Sequence, residues 1–183
     1  FEGCDLAGLA LDIETAFKIC DAWKPAMDRV MQKTFNTKLL GTGANPPQVF
    51  WCRDPIKQLS DLKGRKIRVF NKTMSDFVNA VGGTTISMAF AEVVPALQRG
   101  VVDCAVTGTT SGNSAGWPEV SDFIYPMYLG WSVNVQGVNL DSWKRFGPEV
   151  RAAMTEGFGL FEKDYWATVG RSAAQADNCN TGK

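Results

Sequence analysis

Between residues 66 and 106 the chain alternates strand-like and helix-like segments with very short links, a pattern few folds accept. "KIRVF" (66–70) reads as a strand, with β-branched Ile67 and Val69 two positions apart. "TMSDFVNAV" (73–81) reads as a helix stopped by Gly82-Gly83. "TTISM" (84–88) is a second strand, and "FAEVVPALQR" (90–99) a second helix ending at Gly100. "VVDCAV" (101–106) is the third strand. Right-handed crossovers would place these strands in one mainly parallel sheet covered by helices. Ligands bind such sheets beyond the carboxyl ends of the strands. The expected fold class is α/β.

The flanks are read from periodicity. Residues 13–34 place Ile13, Ala16, Phe17, Cys20, Trp23, Met27, Val30 and Met31 on one helical face, with Pro25 expected to kink or divide the helix. "KLLG" (38–41) and "QVFWCR" (48–53) are strand-like. "TGTTSGNSAGWPE" (107–119) is a Gly-rich loop with one helical turn, and residues 124–140 read as strand, turn and strand. "WKRFG" is a short helix, and residues 148–172 form a long amphipathic one.

Charge excludes several partners. Nineteen basic residues balance 19 acidic ones, so nothing global attracts nucleic acid or an anionic membrane surface. No stretch reaches the roughly 18 apolar residues of a membrane span. Histidine is absent. That removes Ser-His-Asp and Cys-His catalysis and histidine metal sites together. The first residue is Phe1 rather than Met, and the sequence is expected to start inside a longer precursor.

The five cysteines have neither CxxC pairs nor zinc spacing. Their default reading is as small buried hydrophobes, whereas in an exported protein disulfides become the expectation. Cys52 with Cys104 and Cys4 with Cys20 are two conceivable pairings, and Cys179 is left over. None of these pairings follows from sequence.

"DLKGRKIRV" (61–69) followed by "VGGTTISMAFAEVVPALQRGVVD" (81–103) resembles the solute-binding proteins of TRAP transporters, the DctP-type family. The similarity runs on to "PEVSDFIYP" (118–126) and more loosely past "DSWKRFGPEV" (141–150). It implies a two-lobed, periplasmic-binding-protein-like architecture with mainly parallel sheets and a long connecting helix. Residues 46–131 would form most of one lobe. Residues 1–45 and 132–183 would be parts of the second lobe and of the connecting helix. A complete member is longer than this chain. The resemblance further implies a periplasmic protein that captures a small organic carboxylate and delivers it to TRAP permease membrane subunits, with no catalysis and no cofactor. A ligand-sensing module for a signalling partner is the second reading, and a carboxylate-processing enzyme the third.

The resemblance also selects residues. Arg68 matches the family arginine that grips the ligand carboxylate, a task suited to its planar, permanently charged fork. Read without the resemblance, it is an ordinary strand arginine facing water. Phe90 matches a position that packs on the ligand, or else is a core aromatic. Gln48 stands where some members place a polar contact, and Arg53 is a possible second arginine or a surface charge. Thr107 replaces a common asparagine, with Asn113 able to supply the missing amide from the loop. Trp131 either lines the pocket or packs the crossing between the lobes. Val106 and Val133 stand where a metal-binding branch has carboxylates, so no metal is expected. Glu92 and Asp103 are read as a helix-dipole partner and a turn residue rather than an acid/base pair. Phe90 and Trp131, with Phe50 or Trp51, would make an apolar pocket tilted toward a 2-oxo or aromatic monocarboxylate.

Overall fold

The computed structural model describes residues 2–181. Helix α1 (Ile13–Phe35) starts at Asp12, whose carboxylate accepts the Thr15 amide, and ends at Asn36 in the left-handed conformation. Of the two outcomes expected at Pro25, division does not occur, and one helix runs through it. Proline removes one backbone bond, but the buried face of Ala16, Cys20, Met27 and Met31 continues on both sides of it.

Strand β1 (Thr37–Gly43) follows and then β2 (Gln48–Cys52), every residue of which is buried. The alternating run comes next, in its predicted order: β3 (Lys66–Val69), α2 (Lys72–Ala80), β4 (Thr84–Ser87), α3 (Val93–Gln98) and β5 (Cys104–Gly108). A 3-10 turn at Phe90–Glu92 takes up the first part of the second helix, and Glu92 accepts the Ala89 amide. Pro95 therefore falls in the first turn of α3, where its missing N–H is harmless. The third strand begins later than expected, because Asp103 is occupied at the start of β3, accepting the Lys66 amide.

The predicted loop after β5 contains α4 (Thr109–Ser114). Strands β6 (Phe123–Tyr125) and β7 (Asn134–Asn139) are the two strands expected after it, and each joins a different sheet. Helix α5 (Leu140–Arg145) leads to α6 (Pro148–Thr181), which extends beyond the predicted end. Among the described residues, no helix is long and apolar enough to cross a membrane.

The larger sheet has the order β4-β3-β5-β2-β6. Strands β4, β3 and β5 pair in parallel, as the short crossovers require. Strand β2 inserts antiparallel between β5 and β6. The sheet is thus mixed, which corrects the expectation of mainly parallel sheets. The smaller sheet is the antiparallel pair β1-β7.

Each sheet has its own packing. One core combines α1, β1 and α6 through Cys20, Met31, Leu39, Trp166 and Val169. Two more lie on opposite faces of the larger sheet. One contains Phe50, Ile67, Val69 and Val106, and the other Val49, Trp51, Val93, Leu97 and Ala105. Cys4–Cys20 and Cys52–Cys104 form disulfides, and Cys179 is a free, exposed thiol.

Candidate functional site

The carboxyl ends of β3, β4 and β5 share one edge of the larger sheet with the amino end of β2. There an open cavity of about 600 Å³ is lined by Gln48, Arg68, Phe90 and Thr107 together. Its size suits a small ligand. The remaining wall comes from Asn45, Phe70, Ser111, Ser114, Ala115 and Ser132.

Strand alternation explains how a charge reaches the cavity. Ile67 and Val69 point into one core, so Arg68 must leave by the other face, beside its ladder partners Ile86 and Ala105. Its side chain is not solvated; the residue is only 4% exposed. Nε and Nη2 donate to the Met88 carbonyl, each at 3.2 Å, and Nη1 donates to the Val106 carbonyl at 2.9 Å. These bonds use three of five N–H groups and leave one on each terminal nitrogen. The Phe70 ring centroid is 5.4 Å from the guanidinium carbon. Burial pushes the guanidinium below its usual range of basicity, yet arginine remains charged at neutral pH. Among the described residues no carboxylate pairs with it, although six other ion pairs form.

The neighbours are held by backbone geometry. Gln48 faces Gly108 across β2-β5, and its Nε2 donates to the Pro46 carbonyl. Thr107 is buried at the end of β5. One face of Phe90 stacks on buried Trp117, with centroids 5.4 Å apart, and the residue is still 43% exposed. Phe90 is therefore anchored at the back and open at the front.

Other expected contacts do not come together here. Trp131 does not line the cavity. Its indole is buried in the core beside α1 and α6 and donates to the Ala10 carbonyl. Asn113 turns away and donates to Asn180 of α6 at 2.6 Å. Phe50 and Trp51 are fully buried within the sheet's two cores and do not line this cavity. Arg53 is exposed at the far end of β2. Of the aromatics expected to wall an apolar pocket, Phe90 alone lines this cavity, joined by Phe70 and by side chains that carry hydroxyl and amide groups.

Phe70, Asn45, Ser111, Ser114 and Ser132 were not foreseen. Phe70 could have been found, since it stands two residues after Arg68, just past the strand's carboxyl end. The others depend on how loops fold over the sheet.

A family model described as bacterial extracellular solute-binding protein, family 7, matches residues 5–176. The Salmonella typhimurium protein YiiZ is 31% identical over 97 residues, which are 51% of this chain and 29% of that protein. Two solved structures superpose over nearly the whole chain. One is an extracytoplasmic solute receptor of Bordetella pertussis binding pyroglutamic acid, with TM-score 0.89 and 21% identity over 98% of this chain and 60% of the receptor. The other is a TRAP periplasmic solute binding protein of Haemophilus influenzae with bound L-gulonate, with TM-score 0.90 and 21% identity over 100% of this chain and 60% of its own. At that identity the structures establish the two-lobed α/β fold alone. The chain thus spans about three fifths of these solved proteins and under a third of YiiZ.

Proposed function

The chain belongs to family 7 of the bacterial extracellular solute-binding proteins, the DctP-type family, and from that premise we propose that its cavity captures a small organic carboxylate in the periplasm for a TRAP-type permease. The observation that carries this reading is Arg68. A buried, permanently charged group without an acidic partner is expensive unless a counter-anion arrives. Its two uncommitted N–H groups match in number the two oxygens of a carboxylate.

The lobe assignment follows the same reading. Residues 46–131 make most of one lobe, supported by the larger sheet lying wholly within them. Residues 1–45 and 132–183 contribute to the second lobe and the connecting helix, supported by the pairing of β1 with β7.

The ligand carries one carboxylate and further hydrogen-bonding groups. Arg68 is the only cation among the described lining residues. The hydroxyls of Thr107, Ser111, Ser114 and Ser132 serve polar substituents, which would otherwise be buried unpaired. Phe70 and Phe90 suit a compact apolar face. Binding, not turnover, is the activity.

Micromolar affinity corresponds to about −8 kcal/mol. Truncating one partner of a desolvated charge pair costs roughly 2–5 kcal/mol. A thermal-shift screen of organic acids on the full-length protein is therefore expected to give at least one acid that raises the melting temperature. Arg68→Ala is expected to abolish that shift. An equal shift in the mutant would reject the role of Arg68.

A further inference from the structure

Ser132 has a positive φ of 46°, a conformation rare for a residue with a side chain, and it lines the cavity. Such outliers persist only where the surroundings impose them. Here the surroundings are specific. The Trp131 amide donates to Asp5 Oδ1 at 2.7 Å, and the Val133 amide donates to Asp5 Oδ2 at 3.2 Å. One buried carboxylate therefore grips the amides on either side of Ser132. From the other side, Asn45 Nδ2 donates to the Ser132 carbonyl at 2.8 Å, and the Asn45 amide donates to the Trp131 carbonyl at 2.7 Å. Gly130 is also shaped to this arrangement, since a Cβ there would lie 2.7 Å from Asp5 Oδ1.

Asp5 is itself held from behind. The preceding residue, Cys4, is disulfide-bonded to Cys20 inside α1. A covalent anchor thus joins α1 to Asp5, and hydrogen bonds carry it on to the segment between β6 and β7, where Ser132 lines the cavity.

We propose that Asp5 is a positioning residue for ligand capture: it holds Ser132 in its left-handed conformation and so sets Ser132 and Asn45 in the wall of the cavity that Arg68 also lines. This rests on the reading of the cavity as a carboxylate site and adds to it a residue that touches no ligand. The carboxylate is needed because it has acceptors for both amides. An asparagine there would turn an NH₂ group toward one of them.

The test uses the full-length protein and the variants Asp5→Asn, Asp5→Asn with Ser132→Gly, and Arg68→Ala. The first arm needs no ligand and follows NMR amide exchange of Trp131 and Val133 and the Ser132 backbone coupling. Asp5→Asn is expected to speed exchange of both amides and move Ser132 out of the left-handed region. Glycine adopts positive φ freely, so Ser132→Gly should restore much of the protection. The second arm titrates pyroglutamate and L-gulonate by calorimetry. For an acid that the unmodified protein binds, Asp5→Asn should weaken affinity by about tenfold, the scale of one lost charge-assisted hydrogen bond. Unchanged exchange and coupling in Asp5→Asn would overturn the proposal whether or not either acid binds. Altered exchange with unchanged affinity would overturn it too, leaving Asp5 a purely structural residue. Arg68→Ala reports separately on the carboxylate site: binding that survives it refutes that reading and leaves the ligand-free arm to judge Asp5.

Discussion

Arg68 shows how much one position can determine. It sits between two core residues, so the pleat directs it to the opposite face, and three backbone bonds fix its guanidinium there. Phe70 then covers one side of the cation. A ring in that place lowers local hydration and attracts the charge through its quadrupole, an effect of about 0.5–1 kcal/mol for a ring that, like Phe70, stays partly exposed. Phe70→Leu keeps the apolar bulk and removes the quadrupole. Calorimetry should find acid binding weakened by roughly two- to fivefold, with Phe70→Tyr close to the original. A leucine variant binding as tightly as the phenylalanine would show the ring to be mere packing. Residue chemistry was readable where it depended on the strand itself, as for Arg68 and Thr107. It was not readable for Trp131 or Asn113, whose directions are set by partners distant in the sequence, Ala10 and Asn180.

At the level of elements, local signals located the pieces better than they arranged them. The glycine stops and apolar periods of residues 66–106 foretold the order of strands and helices. They could not foretell that β2 enters the sheet antiparallel, because insertion order is decided by pairing across 52 residues of separation, as between Cys52 and Cys104. Asp28 illustrates the tertiary clips involved. From α1 it accepts the Leu39 amide at 2.9 Å and a hydrogen bond from Lys38 Nζ at 2.6 Å, fastening the helix to β1. Burial alone would raise its pKa. The hydrogen bonds from Lys38 and Leu39, with the Lys38 charge and Gln32, outweigh burial and hold the carboxyl below its ordinary 3.8. A depressed folded-state pKa means that the stabilisation is present above pH 3.8 and disappears as pH falls through the folded value. Asp28→Asn should therefore lose about 1 kcal/mol near pH 7, and that loss should shrink as pH falls below 3.8. Thermal melts across that range would read the difference, and a loss independent of pH would contradict the assigned cause.

Across the whole molecule, α6 is the element that bridges the smaller sheet and the helix beside the cavity. With 34 residues it is about 50 Å long. Near its middle, buried Glu162 accepts the Thr42 amide and hydroxyl of β1 and pairs with Lys24 of α1, while Trp166 donates to the Thr42 carbonyl. Those bonds fix α6 to the smaller sheet. Its far end reaches α4 through Asn180, which accepts from Asn113 and donates to the Thr109 carbonyl. Because α4 also supplies Ser111 and Ser114 to the cavity, the helix joins the smaller sheet to the ligand wall. An acid that favours one relative arrangement of the sheets will shift the population toward it. Exposed Cys179 lies at that junction, its sulfur 4.0 Å from Asn113 Nδ2, and offers a site for a thiol-reactive fluorophore. Emission from the labelled full-length protein should change on adding a binding acid, saturate at the affinity measured by calorimetry, and stay constant in Arg68→Ala. Constant emission from the labelled protein while calorimetry records binding would mean that the α4–α6 junction does not follow ligand capture.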